Sequence, residues 1–263
     1  MSGFPALATV LVLVVLTALS LRFYLPLAGR VWLRHAGAVD DGWVGKVDAV
    51  VAVVLVAWFI LLGRDALTET GDRNVEFGHI VSGAIIYASI VLFLVGLLVY
   101  RNLPLTGVFG TDRAGFVRVL GRGLLYLAAA YPLLMLVQAM VYGAAGGDTS
   151  PQEVVQFLQN AETPHDRLAV LAMAVIVAPV AEELIFRGYL YPVGKRWLGP
   201  FLSMAGTSLL FAALHGHMAS IPALFTLAMC LGLAYEKSGT LIVPMVMHAI
   251  FNAVSVTAIL FFL

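Results

Sequence analysis

Eight long apolar runs make up most of the chain and restrict its fold more than any other feature. A helix crosses the hydrocarbon core of a bilayer with around 20 mostly apolar residues. The runs lie near residues 4–28, 46–63, 77–100, 119–143, 166–194, 199–216, 220–235 and 240–263. Only 11% of the residues are charged, against about 25% in soluble domains. The sequence therefore predicts an all-α, polytopic transmembrane helix bundle of about eight spans, whose surroundings are the lipid bilayer.

The charges between the runs predict the orientation of the bundle. Basic residues collect in the connections after the first, third, fifth and seventh runs, and acidic residues collect after the second and fourth. The basic set is Arg30, Arg34, Arg101, Arg113, Arg118, Lys195, Arg196 and Lys237. Because basic connections stay in the cytoplasm, the odd-numbered connections are predicted to be cytoplasmic and both termini outside. The formal net charge is zero, so no nucleic-acid partner is predicted.

The connection after the fourth run carries the pattern of a helix start. Ser150 suits an N-cap, Pro151 the first helical position and Glu153 a capping box. The apolar residues that follow predict a short helix lying on the membrane surface, although an ordinary loop helix fits the same pattern.

Ionisable side chains distinguish the later runs from the earlier ones. Inside a span such a residue costs roughly 2.5–3.5 kcal/mol on insertion scales and usually has a function. Runs one to four are nearly free of them away from their ends. Runs five, six and eight contain the ionisable residues Glu182, Glu183, Arg187, His215 and His248, and the polar residue Asn252 lies one turn after His248. We therefore expect an N-terminal transmembrane region of about three spans without a motif, residues 1–118, and a catalytic transmembrane domain, residues 119–263.

Helical spacing predicts how these residues are grouped. Glu183 and Arg187 are four apart and can form an ion pair on one helix face, whereas Glu182 is rotated by about 100° from its neighbour. Two further pairs share a face in the same way: Phe211 with His215, and His248 with Asn252. Counting inward from the basic connections predicts that Glu182, His215, His248 and Asn252 meet near mid-membrane, in a cavity reached from the cytoplasmic side.

This set of side chains favours acid–base hydrolysis of a peptide bond. A buried carboxylate can take a proton from water, and a neutral histidine beside it can align that water. Glu182 and His215 are predicted to do this. His248 and Asn252 are donors suited to the developing oxyanion, while Glu183, Arg187 and Phe211 support the site. No Gly-x-Ser-x-Gly elbow is present.

A metal site is the alternative for the same residues. Glu182, His215 and His248 could supply the three protein ligands of a catalytic zinc ion. The sequence contains no His-Glu-x-x-His motif, so we favour a mechanism without a cofactor and keep zinc as the alternative. In a purely structural interpretation, these polar residues would only form contacts that hold the helices together.

The motifs resemble a known family, the CAAX-protease and bacteriocin-processing membrane proteins, related to the type II prenyl-protein endopeptidase. The family pattern is Glu-Glu-x-x-x-Arg, then Phe-x-x-x-His, then His-x-x-x-Asn. The matching residues are Glu182, Glu183, Arg187, Phe211, His215, His248 and Asn252. The resemblance covers roughly residues 121–263.

This resemblance implies an intramembrane endopeptidase in which Glu182 activates water, with His215 as its partner and His248 with Asn252 as the oxyanion pair. It also implies a bacterial-type plasma membrane and a peptide or protein substrate that reaches the bilayer. The prenylated tail in the family's name need not transfer, since many bacterial relatives have no prenylated proteins to cut. A non-catalytic immunity or scaffold protein that keeps the family fold is the alternative function.

Overall fold

The computed structural model describes residues 3–68, 77–113, 115–144 and 163–262, and over these ranges the chain is helical without any strand. The helices are α1 (Gly3–Arg34), α2 (Lys46–Thr68), α3 (Phe77–Tyr100), α4 (Leu105–Phe109), α5 (Phe116–Ala144), α6 (Pro164–Ala172), α7 (Ala178–Glu182), α8 (Tyr191–Ala213), α9 (Ile221–Ser238) and α10 (Ile242–Phe262). Two π-helical segments, π1 (Met173–Val177) and π2 (Glu183–Leu190), join α6, α7 and α8 end to end. The predicted all-α bundle is confirmed. The surface helix predicted from Ser150 lies outside the described residues.

Most of the predicted spans are present as helices long and apolar enough to cross a membrane. Six segments within the described ranges meet that criterion: Thr9–Arg34, Lys46–Arg64, Val81–Tyr100, Phe116–Ala144, His165–Ala213 and Met218–Ser238. The 49-residue segment contains the fifth and sixth predicted runs, which Gly199 separates with a φ of 79° just before Pro200. A shorter apolar helix, Ile242–Ala258, carries the eighth run. The chain is thus an integral membrane protein, with six candidate spans and one shorter apolar helix in the described residues.

Helix α9 lies at the centre of the bundle. In its most apolar stretch 50% of the residues are buried, against 17–33% in the other five candidate spans of the described chain. It packs against α8 and α5, and α5 also packs against α1 and α10. The outer faces of the helices are apolar, and Leu92 and Val117 are exposed on them. Apolar side chains suit these faces because lipid is the solvent there. This arrangement turns the polar faces of the motif-bearing helices towards one another.

The odd-numbered connections lie together at one end of the bundle, which we call the basic end (residues 35–45, 101–113, 195–199 and 236–241). Lys195 Nζ donates to the Glu236 carboxylate at 2.6 Å and to the Val39 carbonyl oxygen at 2.8 Å. The Ala38 N–H donates to the Glu236 carbonyl oxygen at 2.9 Å, and Arg113 donates to the Ala38 carbonyl oxygen at 3.0 Å. The common location of these connections agrees with the alternation of charge along the chain. That the basic end faces the cytoplasm stays a prediction.

A second buried carboxylate at the basic end fixes α2 against the motif helix, our name for the continuous helical stretch from Pro164 to Ala213. Asp48 is fully buried and forms an ion pair with Arg101. It accepts hydrogen bonds from the Gly45 N–H at 2.7 Å and from the Tyr189 hydroxyl at 3.2 Å. Because Tyr189 belongs to π2, these contacts hold the start of α2 beside the segment that carries the Glu-Glu-x-x-x-Arg motif.

Candidate active site

The motif helix departs twice from α geometry around the two glutamates. At the end of π1 the Ala178 N–H donates to the Met173 carbonyl oxygen, five residues earlier. Pro179 follows and has no N–H to donate. The second π segment begins at Glu183, directly after Glu182. Such segments are rare and frequently occur at functional sites. Here the carboxylate of Glu182 contacts α3, and that of Glu183 contacts α10.

Asn252 compensates for the irregular backbone of π1. The Ala174 carbonyl oxygen would ordinarily accept from residue 178 or 179, but Ala178 donates to Met173 and Pro179 has no N–H. The Asn252 side-chain amide donates to this oxygen at 2.7 Å. An amide NH₂ group has two N–H bonds, so the predicted oxyanion role of Asn252 needs the second one. That role stays a prediction.

Glu183 and Arg187 form the ion pair that their spacing predicts. Arg187 Nη1 lies 2.8 Å from Glu183 Oε1, with exposed side-chain fractions of 3% and 0%. The guanidinium also donates to the Ala228 carbonyl oxygen at 3.2 Å. Its carbon Cζ lies 4.7 Å from the centroid of the Phe211 ring, a cation–π geometry. The pair ties the motif helix to α8 and α9 and keeps a charged carboxylate inside the bundle.

His248 lies between the two glutamates. Its Nδ1 is 3.0 Å from Glu183 Oε1, and its Nε2 is 3.7 Å from Glu182 Oε2. Because the Glu183 carboxylate beside Arg187 is an acceptor, we assign the Nδ1 proton to that hydrogen bond. Nε2 is then the atom that faces Glu182.

His215 is oriented by its own helix. Its Nδ1 is 2.8 Å from the carbonyl oxygen of Phe211. A carbonyl oxygen only accepts, so Nδ1 carries the proton and Nε2 is left as an acceptor. The Phe211 ring separates the two histidines, with centroid distances of 4.7 Å to His215 and 5.6 Å to His248. This ring therefore sets how far apart the two imidazoles lie.

A cavity of about 290 Å³ reaches the Glu182 carboxylate. It is lined by Trp58, Phe59, Leu62, Gly83, Ile86, Tyr87, Ile90, Glu182, Phe186, Phe211, Leu214 and His215. The lining includes Glu182 and His215 but neither His248 nor Asn252, although the sequence predicts all four in one cavity. His248 instead approaches Glu182, and Asn252 donates to π1. Much of the wall is aromatic or aliphatic and comes from α2 and α3. A carboxylate and an imidazole acceptor at one wall of an apolar cavity can bind and polarise water.

Tyr87 is a site residue that the sequence analysis missed. Its hydroxyl donates to Glu182 Oε1 at 2.6 Å, so it contacts the predicted catalytic carboxylate directly. It lies in α3, a run without any motif. The available signal was a tyrosine hydroxyl inside an apolar span, since a buried tyrosine hydroxyl usually has a hydrogen-bond partner. The sequence alone does not identify that partner.

The zinc alternative stays open. Within the described ranges, no group of three or more His, Cys, Asp or Glu side chains lies close enough to hold a metal ion. Only Nδ1 of His215 and Nδ1 of His248 are engaged, with the Phe211 carbonyl oxygen and the Glu183 carboxylate. Because a metal-bound histidine ordinarily has such a contact at its other nitrogen, zinc held by Glu182, His215 and His248 remains the alternative to a mechanism without metal.

Comparison with known proteins identifies the segment that carries these residues. Residues 164–254 match the family model described as type II CAAX prenyl endopeptidase Rce1-like. No curated protein and no solved structure matches the chain. The matched segment covers about a third of the chain and confirms the resemblance. It contains all seven residues predicted for the site, but α2 and α3 lie outside it. The family is a protease family, which supports peptidase activity.

Proposed function

We propose that this integral membrane protein with an Rce1-like segment is an intramembrane endopeptidase that uses Glu182 to activate water. The observation that carries the proposal is the Glu182 carboxylate at the wall of an apolar cavity shared with His215. Tyr87 occupies one carboxylate oxygen, and the other faces His248. A carboxylate in such surroundings suits general base catalysis.

In the proposed reaction, a water molecule in the cavity attacks the carbonyl carbon of a peptide bond. Glu182 takes one proton of this water, and His215 Nε2 accepts a hydrogen bond from the other. His248, when protonated, donates through Nε2 to the oxyanion, with the second Asn252 N–H as the further predicted donor. As the C–N bond breaks, Glu182 returns its proton to the leaving amine. Water is consumed and two chain ends result.

The substrate is proposed to be a peptide or protein segment that reaches the bilayer. The matched family is named for a CAAX prenyl endopeptidase. A prenylated CAAX tail is therefore one proposed substrate of this chain. We further propose that the chain resides in a bacterial-type plasma membrane and that the site is reached from the basic end, on the cytoplasmic side.

The test of this function compares membrane peptides from cells making equal amounts of the wild type or the Glu182→Gln variant. Mass spectrometry would record peptide C-termini that occur only with the wild type. A small reproducible set is expected, and it would identify the substrate. If no such set appears and the variant restores every phenotype of a deletion strain, the chain is a scaffold or immunity protein and the proposal is wrong.

Filling the cavity is expected to block this activity. Gly83 lines the cavity, and a Cβ atom at this position meets no atom within 4 Å. Gly83→Trp should therefore fold and lower cleavage at least ~10-fold by excluding water and substrate. Gly96 lies in the same helix, is equally open and does not line the cavity. Gly96→Trp is the matched control. If both substitutions lower cleavage equally, filling the cavity is not the cause of the loss.

Removal of metal is expected to leave cleavage unchanged. The proposed proton transfers involve Glu182 and the histidines, so dialysis of the purified protein against a strong chelator should alter the rate by less than about twofold. Metal content measured in the same sample should stay far below one ion per chain. Loss of activity that returns on addition of zinc would instead support Glu182, His215 and His248 as ligands.

A further inference from the structure

We infer that Tyr87 is a positioning residue that selects which oxygen of Glu182 acts as the base. The inference rests on the proposed function of Glu182. The Tyr87 hydroxyl donates to Oε1 at 2.6 Å, while Oε2 lies 3.7 Å from His248 Nε2. Oε1 therefore already accepts a hydrogen bond, which makes it the less basic oxygen, and Oε2 beside the histidine is the one that accepts the proton from water.

The contact has the features of a strong hydrogen bond. A hydroxyl that donates to an ionised carboxylate forms a short, charge-assisted bond. Only 6% of Glu182 is exposed, so bulk water competes little for this oxygen. The Tyr87 side chain also lines the cavity itself, which places its hydroxyl at the boundary between the apolar wall and the reactive carboxylate.

Fixing one oxygen matters because a free carboxylate can rotate and exchange its two oxygens. Rates of positioned proton transfers depend steeply on alignment, and a displacement of about 1 Å can cost about 10²-fold. Helix α3 packs against π1, α7 and π2, so it presents Tyr87 to Glu182 from a neighbouring helix. Since α3 precedes residues 164–254, the region without a motif completes the proposed site.

A tyrosine that only satisfies a buried carboxylate would stabilise the fold without affecting the chemical step. Tyr24 provides the matched comparison, because its buried hydroxyl donates to the Tyr126 carbonyl oxygen at 2.8 Å. It does not line the cavity. Tyr24→Phe and Tyr87→Phe thus each remove one hydroxyl from a hydrogen bond inside the bundle, and only Tyr87→Phe removes it from Glu182.

The experiment measures kcat, KM and the thermal unfolding midpoint of the purified wild type and variants on the identified substrate. Tyr87→Phe should lower kcat about 10- to 100-fold and leave KM within about twofold. Tyr24→Phe should lower the unfolding midpoint but leave kcat within about twofold of the wild type. A kcat for Tyr87→Phe equal to that of Tyr24→Phe would overturn the inference.

Glu182→Gln in the same assay separates this inference from the proposed function. If Glu182→Gln is inactive while Tyr87→Phe keeps the wild-type kcat, the role of Tyr87 is wrong and the function of Glu182 stands. If Glu182→Gln keeps the wild-type kcat, the proposed function itself is wrong, and the role of Tyr87 is wrong with it.

Discussion

Replacing Glu182 by glutamine is expected to lower kcat about 10³-fold, the typical contribution of a general base. Glutamine has nearly the same shape, and its carbonyl oxygen can still accept the hydrogen bond that the Tyr87 hydroxyl donates. Its amide cannot take a proton from water. The variant should therefore fold, bind substrate with nearly unchanged KM and fail in the chemical step. Rates and unfolding midpoints of the purified protein would be measured together.

Glu183→Gln is the matched control for this prediction, because it removes the adjacent carboxylate. Glu183 pairs with Arg187 and His248 and does not line the cavity. Its replacement should lower the unfolding midpoint and reduce kcat less than Glu182→Gln does. The opposite order, with the larger loss of kcat at Glu183, would assign the base to the second glutamate.

Breaking the buried ion pair is expected to have the largest effect on stability. Arg187→Met should lower the free energy of unfolding by about 3–5 kcal/mol, because a buried carboxylate loses its cation. Arg187 also donates to the Ala228 carbonyl oxygen and lies over the Phe211 ring, so several contacts are lost together. The measurement is unfolding of the purified protein, with folded protein in the membrane as a second readout.

A double-mutant cycle tests whether the pair is the cause. Combining Arg187→Met with Glu183→Gln removes both charges and should recover part of the stability lost in Arg187→Met alone. The exposed residue Arg196 in α8 is the control, and Arg196→Met should change the free energy of unfolding by no more than about 0.5 kcal/mol. Additive effects of the two pair substitutions would show that the carboxylate does not depend on this arginine.

Much of the fold was predictable because the bilayer imposes simple requirements on length and composition. The apolar runs correspond to six candidate spans and one shorter apolar helix in the described residues, and Gly199 with Pro200 divides the fifth run from the sixth within one of those spans. Helix ends were less predictable, since α1 continues to Arg34 beyond the apolar run near 4–28. A charged residue at a helix end is compatible with the membrane boundary, so hydropathy alone does not locate the last turn.

The site was predictable where one helix carries both partners and less so where helices must meet. The spacing of Glu183 and Arg187 predicted their ion pair. The contacts of Tyr87 with Glu182 and of Asn252 with Ala174 depend on helix packing and on the π geometry around Pro179. A hydropathy pattern contains neither. The division at residue 118 stays a prediction, although the cavity wall combines residues from both sides of it.

The π segments also bear on how the motif can be moved or changed. A π turn holds one residue more than the α turn it replaces, and each added residue rotates the following part of a helix by about 100°. The directions of Glu182 towards α3 and of Glu183 towards α10 therefore depend on the number of residues in π1 and π2 as well as on their identity. The ten residues from Pro179 to Gly188, transplanted into a regular helix of another membrane protein, would transfer the letters of the motif without its geometry.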